Sequence, residues 1–285
     1  MNTAHIHLVG VAGVGMNPLA QALLAAGFAV SGSDRFLDQG QELDILPKLA
    51  RAGVRLVPQD GSGLTAHTAA VGVSTAIEKD NPDLIAATRL KIPIRHRSEL
   101  LADLARNRTA VAITGTCGKT TTTGMVGWLL EQVGADPTVV NGGILLNWAS
   151  ADRIGNVRAG KSPLWVIEAD ESDRSLLNFH PDWAIVTNMS ADHFSLEETR
   201  QLFAQFLRQV KRGAIGGTDT GLPPDFAPRL SARSSAFRYG GVDFTVPQPG
   251  FHNAANALQA VQLCEKMGHP LPALAEALSR FKGIH

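Results

Sequence analysis

A chain of 285 residues is long for one hydrophobic core and suits two domains of roughly 100–180 residues each. Its 26 basic and 26 acidic side chains balance, so no net field draws nucleic acid or an anionic membrane surface, and small-molecule chemistry is favoured. The two cysteines, Cys117 and Cys264, lack a metal-ligand spacing, and neither a signal-peptide start nor an apolar run of about 20 residues is present, so a reducing, cytoplasmic setting without disulfides or zinc is expected.

Short apolar runs at 5–10, 28–32, 70–74, 110–114, 164–168 and 183–188 have the length and flanks of strands. Helical spacing covers 15–26, 98–108, 119–133, 199–210, 253–266 and 271–281. This alternation predicts an α/β chain: an N-terminal Rossmann-like parallel-sheet domain, then a P-loop, ATPase-like α/β central domain. The polar break Arg106-Asn107-Arg108-Thr109 places the boundary near residue 108, giving domains 1–107 and 108–285. The Gly-, Pro- and Ser-rich stretch 213–235 reads as a loop.

The first strand runs into Gly10-Val11-Ala12-Gly13-Val14-Gly15-Met16. Its G-x-x-G-x-G spacing is not the dinucleotide fingerprint, which disfavours a nicotinamide cofactor. Glycines there let the backbone turn tightly and approach a diphosphate at a helix start; equally, they let strand and helix pack closely. Asp34, closing the second strand, can reach a ribose or a neighbouring loop. His5 and His7 read as structural, the four tryptophans and Met16 as core or pocket wall, and Arg95-His96-Arg97 as either an anion site or a solvated basic turn.

The stronger signal is AITGTCGKTTTT at 112–123, between a predicted strand and a predicted helix. A full G-x-x-x-x-G-K-[ST] pattern would place glycine at Ile113, on the strand side, where its loss is tolerable. Amides from Gly115 through Thr120, including those of Thr116 and Gly118, can surround the β- and γ-phosphates of ATP. Lys119 then neutralises charge and the Thr120 hydroxyl reaches Mg²⁺. Farther on, His252-Asn253-x-x-Asn256 opens a helix: His252 and Asn256 can face a nucleotide or carboxylate, while Asn253 is equally an N-cap. Asn188, in Thr187-Asn188, ends a predicted strand.

Taken in order, IHLVGVAGVGMNPLAQALLAAGFAVSGSD, VGVSTAIEKDNPDLIAA, TGTCGKTTTT, VIEADESDRSLL, TNMSADH and GFHNAANALQA resemble the Mur ligases of bacterial cell-wall synthesis over nearly the whole chain. The likeness is strongest to the UDP-N-acetylmuramate:L-alanine ligases and the murein-peptide ligases of wall recycling. That family's phosphate loop also lacks the outer glycine. The resemblance implies an ATP-dependent ligase that phosphorylates a muramoyl carboxylate and lets an amine attack the acyl phosphate. It implies Glu168 and His193 as ligands of Mg²⁺ or Mn²⁺ together with Thr120, and Lys119, Glu168 and His193 as the catalytic set. It further implies nucleotide contacts from Gly115, Thr116, Gly118, Lys119, Thr120, Thr121, Asn188, His252 and Asn256. For a UDP-N-acetylmuramate-type substrate it implies Gly10, Gly13, Gly15, Met16, Asp34, Ser74, Thr75 and Arg97. Asp170, Glu171 and Asp173 are expected at the surface or behind the metal, because like charges so close rarely all bind one ion.

Several positions depart from the family pattern. Ser195 and Ser190 stand where acidic residues are common, and Gln59-Asp60 replaces a Gly-His dipeptide near the uracil site. The interval from His193 to His252 is short, and the family's third domain, which receives the amino acid or peptide, has no counterpart in the sequence. Three readings follow: a Mur-type ligase whose third domain comes from elsewhere, for example a separate chain; a degenerate nucleotide- and UDP-sugar-binding paralogue; or an unrelated P-loop ATPase, which the GFHNAAN and EADESD segments oppose. Slow ATP hydrolysis at most is expected of these residues alone.

Overall fold

A computed structural model describes residues 3–216 and 221–285. The chain divides into two compact units: one of 1–104 and 149–157, the other of 105–148 and 158–285. The stretch 149–157, far along the sequence, therefore packs with the first unit, which a single cut near residue 108 does not convey.

The first unit runs β1 (His5–Val9), α1 (Met16–Ala25), β2 (Ala29–Ser33), α2 (Arg35–Asp38), α3 (Ile45–Ala52), β3 (Arg55–Leu56), β4 (Thr68–Val73), α4 (Pro82–Leu90), β5 (Ile94–His96) and α5 (Arg97–Ala105). Its five strands lie in the order β3-β2-β1-β4-β5, all parallel. β1 is flanked on both sides, so Ile6 to Val9 are buried without alternation. Glycine is needed at Gly72 in β4, where a Cβ would lie 2.5 Å from Leu8 Cδ2 and 2.8 Å from Leu100 Cδ1.

The second unit contains β6 (Thr109–Thr114), α6 (Lys119–Gln132), β7 (Thr138–Val140), β8 (Val157–Arg158), β9 (Leu164–Glu168), β10 (Trp183–Val186), α7 (Leu196–Leu207), β11 (Gly213–Ile215), β12 (Arg229–Leu230), β13 (Ser235–Tyr239), β14 (Val242–Val246), α8 (Phe251–Lys266) and α9 (Leu271–Leu278). Its main sheet has the order β11-β10-β6-β9-β7-β8. Val111 and Ile113 of β6, Val166 of β9 and Ile185 of β10 join Met125 and Leu129 of α6 and Leu258 and Val261 of α8 in one buried core. The stretch expected to be a loop over 213–235 instead opens with β11 and contributes β12, which with β13 and β14 makes a three-stranded antiparallel sheet; residues 217–220 lie outside the described residues. Phe237 and Phe244, stacked at 5.2 Å between ring centres, join that small sheet to the core.

Candidate functional site

Sheet order decides which loops meet in the second unit. β6 lies between β10 and β9, so the segments leaving the carboxyl ends of these three parallel strands are neighbours. In parallel α/β sheets that edge is where ligands bind. The loop 115–118 leaves β6, Glu168 ends β9, and Thr187-Asn188 follows β10.

The loop is gripped from the β10 side. Thr187 Oγ1 donates to Cys117 O at 2.6 Å, and the Asn188 side chain both accepts from Cys117 N (3.0 Å) and donates to Cys117 O (2.8 Å). Thr116 N donates to Asn188 O at 3.3 Å, and the Thr116 hydroxyl accepts from Ser190 N at 2.9 Å. Gly115 has φ +131°, and a Cβ there would run into Thr187 Oγ1 and lie 2.9 Å from Thr187 N. Gly118, at φ +83°, is the N-terminal boundary of α6, and a Cβ on it would lie 2.8 Å from Asn256 Oδ1. Asn256 is thus seated against the loop. One turn on, Gln259 donates to Thr187 O at 2.9 Å, so one face of α8 supports both the loop and its clamp. Thr121 sits half-buried in the first turn of α6.

On the β9 side Thr120 Oγ1 donates to Glu168 Oε1 at 2.9 Å, and Gly142 N donates to Oε2 at 2.8 Å. Burial pushes the Glu168 carboxyl above its ordinary range, against the Gly142 and Thr120 hydrogen bonds and the Lys119 charge that lower it, with Asp170 adding to the rise. A Cβ on Gly142 would lie 2.8 Å from Oε2, so this glycine keeps the carboxylate's place open. The Thr120 hydroxyl and Glu168 carboxylate form a hard-oxygen donor pair, the chemistry Mg²⁺ and Mn²⁺ take. His193 is exposed, its Nε2 3.8 Å from Asp192 Oδ2. No group of three His, Cys, Asp or Glu side chains fit to hold a metal ion occurs among the described residues.

Lys119 Nζ donates to Gly115 O at 2.9 Å and lies 2.7 Å from Glu171 Oε2. Of the two positions expected for Glu171, at the surface or behind the metal, the surface one is wrong: Glu171 is 3% exposed, and the half-buried Lys119 ammonium holds it in. Asp170 and Asp173 close local turns, accepting from the Ser172 and Ser175 amides at 3.1 and 2.9 Å. Asn253 is not the N-cap. α8 begins at Phe251 after Gly250, and Asn253 donates to Pro249 O at 2.7 Å from the first turn. His252 is exposed, its ring folded against Gly250, where a Cβ would lie 2.8 Å from Cε1.

In the first unit the same topological rule gathers the ends of β2, β1, β4 and β5. Gly10 N and Val11 N donate to Ser33 O at 2.9 and 3.0 Å, Ala12 N to Asp34 Oδ2 at 2.9 Å, and Gly13 N to Gly10 O at 3.0 Å. Met16 N and Asn17 N donate to Gly13 O at 3.0 and 2.9 Å, and Met16 itself is buried. Asp34 also accepts from Phe36 N at 3.0 Å, so its carboxylate fixes the glycine loop and caps α2. Arg97 lies over the loop: a Cβ on Gly15 would be 3.2 Å from its Cδ, Nε and Cζ. Ile77, three residues past Ser74 and near the exposed Thr75, stands 3.2 Å from where a Cβ on Gly10 would be. Arg95 is committed elsewhere, to Asp103 at 2.6 Å and Glu99 at 3.5 Å, whereas Arg97 meets the glycine loop.

Two departures from the resemblance have local explanations. Ser195 caps α7 in a reciprocal box with Glu198, and Ser190 anchors Thr116. Gln59 is held by its amide to Asp38 Oδ2 at 2.9 Å.

The sequence matches the family model for the Mur ligase family, catalytic domain over residues 5–109, and the Mur ligase middle domain over 113–215. A UDP-N-acetylmuramate–L-alanine ligase of Myxococcus xanthus is 35% identical, the alignment covering 99% of this chain and 65% of that protein. The enzyme of the same name from Thiobacillus denitrificans is also 35% identical, with 98% and 66% covered. The chain thus spans about two thirds of the length of these relatives (65% and 66%). Among solved structures, the UDP-N-acetylmuramate–alanine ligase of Thermotoga maritima superposes with TM-score 0.84 at 29% identity, covering 99% of this chain and 69% of that one. A UDP-N-acetylmuramate:L-alanyl-γ-D-glutamyl-meso-diaminopimelate ligase from Neisseria meningitides shares the fold at TM-score 0.82 and 23% identity, with 99% of each chain covered.

Proposed function

Since the chain belongs to the Mur ligase family, we propose that it is the UDP-sugar- and ATP-binding part of a cytoplasmic, UDP-N-acetylmuramate-type ligase of peptidoglycan synthesis or recycling. The observation that carries this reading is the meeting, at one sheet edge, of the phosphate loop, the Thr120–Glu168 pair and Asn256 against Gly118.

In this reading the loop amides and Lys119 receive the β- and γ-phosphates of ATP at the start of α6. Thr120 and Glu168 would hold Mg²⁺, with the exposed His193 as a third protein ligand; the ion, when bound, would offset the repulsion between a carboxylate and a triphosphate. The glycine loop of the first unit and Arg97 take the diphosphate of the UDP-sugar, with Ser74 and Thr75 at the neighbouring strand end. A muramoyl carboxylate oxygen attacks the γ-phosphorus, the bond to the β-phosphate oxygen breaks, and ADP leaves. Amide formation then needs a domain that binds the amine.

The test is ADP release with hydroxylamine present, which traps an acyl phosphate as a hydroxamate. Slow, UDP-N-acetylmuramate-dependent hydroxamate formation that Lys119→Ala abolishes is expected. ATP binding without any hydroxamate would favour the non-catalytic paralogue.

A further inference from the structure

Glu171 has no part in the chemistry just described, yet it is the most deeply buried carboxylate beside the phosphate loop. It is 3% exposed, and its Oε2 lies 2.7 Å from Lys119 Nζ. Lys119 is its only polar partner among the described residues, held by charge alone: neither carboxylate oxygen accepts a hydrogen bond. Lys119 also donates to Gly115 O at 2.9 Å. The ammonium that must meet a phosphate is therefore drawn back into the loop by a full negative charge and a carbonyl.

A buried ion pair is hard to break because each charge left alone keeps its desolvation penalty. An incoming triphosphate carries more charge than Glu171 and competes for the same ammonium, so its affinity is the difference between two charge-assisted interactions. Two of the loop amides, those of Thr116 and Cys117, are already bonded to Asn188, so they compensate the phosphates less than uncommitted amides would.

We propose that Glu171 is a positioning residue for Lys119: it holds the ammonium in the nucleotide-free site and competes with the nucleotide's phosphates for it, which weakens and tunes ATP binding. This rests on the reading of the loop as a nucleotide site. Glu171→Gln keeps the shape and an acceptor for Lys119 but removes the charge. It should bind Mg-ATP about tenfold more tightly than the parent, because the ion pair no longer has to be broken. In the Lys119→Ala background the same substitution should leave affinity unchanged.

Calorimetric titration of the four proteins with Mg-ATP, each first shown to melt cooperatively, decides the matter, and Glu171→Asp, which restores the charge on a shorter arm, should bind less tightly than Glu171→Gln. Equal or weaker binding by Glu171→Gln overturns the proposal. So does a gain that persists without Lys119, which would mean simple repulsion between Glu171 and the nucleotide. If neither the parent nor Glu171→Gln binds ATP, the nucleotide reading itself fails, and this inference with it.

Discussion

Replacing Gly115 by alanine tests the packing that shapes the phosphate loop. Gly115 has φ +131°, and the new methyl group would press on Thr187 Oγ1, 2.9 Å from Thr187 N and 3.1 Å from Asn188 N. Two of these atoms are backbone, so no rotamer change relieves the clash. The loop must instead leave the clamp, losing the bonds from Thr187 Oγ1 and Asn188 to Cys117 and from Thr116 N to Asn188 O. Backbone strain of about 1–3 kcal/mol and four hydrogen bonds at about 1 kcal/mol each give a loss of roughly 5–7 kcal/mol. For a unit of this size that is a fall in Tm of the order of 10 °C. Gly134→Ala is the control, because Gly134 also has positive φ, +80°, but nothing lies within 4 Å of its Cβ position. It should cost only the strain, about 1 kcal/mol. The assay is thermal melting with and without Mg-ATP, since a ligand that binds the native state raises Tm. Gly115→Ala should melt well below Gly134→Ala and show no ATP-dependent rise. Equal melting of the two variants, with the rise intact in both, would refute the clamp as described.

Three further outcomes are expected. Asp83 is fully buried, paired with His7 Nε2 at 3.3 Å, and accepts from Ser33 Oγ (2.5 Å) and Gly61 N (2.8 Å). Burial raises its pKa, but the His7 and Ser33 hydrogen bonds, the His7 charge and the Gly61 amide outweigh that and hold it below the ordinary value. Its contribution is therefore present above the ordinary carboxylate range and lost as pH falls through the lower, folded value. Urea unfolding of Asp83→Ala at neutral pH should show a loss of about 3–5 kcal/mol, and Asp83→Asn should flatten the acid limb of the stability profile. Glu168→Gln should leave the fold intact but lower the dependence of ATP affinity on Mg²⁺, which titrations with and without the ion will show. Finally, Cys117 is exposed within the loop whereas Cys264 is buried, with burial pushing its thiol far up. A thiol-alkylating reagent should modify one site in the native protein by mass spectrometry, and ATP binding should fall with the extent of labelling.

What was legible in the sequence followed the range of the signal. Long apolar runs bounded by glycine, such as 110–114 before GTCGKT, mark a strand, a loop and a helix without help from distant residues. β3, with two residues, and β5, with three, are too short to show any period. α3 keeps only Leu46 and Leu49 buried, and α4 is announced by Asn81-Pro82, a cap and a first-turn proline easily taken for a loop. Of the site, the residues inside motifs were visible. Those acting through the fold were not: Gly142 reaches Glu168 from another strand end, and Gln259 supports Thr187 from α8. Gln259 lies one helical turn after Asn256, a spacing that could have singled it out. Glu171 was visible but its burial was not, because a cluster of acids reads as solvated until the Lys119 ammonium 2.7 Å away is seen. The union of 149–157 with the first unit is a tertiary fact with no local signature, carried by contacts such as Asn156 Nδ2 to Asn17 Oδ1 at 2.5 Å and Gln21 Nε2 to Asn156 Oδ1 at 2.9 Å.

The central claim is that one chain carries both a UDP-sugar site and an ATP site. Calorimetric titration with UDP-N-acetylmuramate and, separately, with Mg-ATP tests it most directly, with Lys119→Ala and Arg97→Ala as paired variants. Binding of both ligands is predicted, Lys119→Ala weakening ATP alone and Arg97→Ala weakening the UDP-sugar alone. Binding of ATP with no heat from the UDP-sugar would contradict the claim and leave a nucleotide-binding paralogue whose first unit recognises something else.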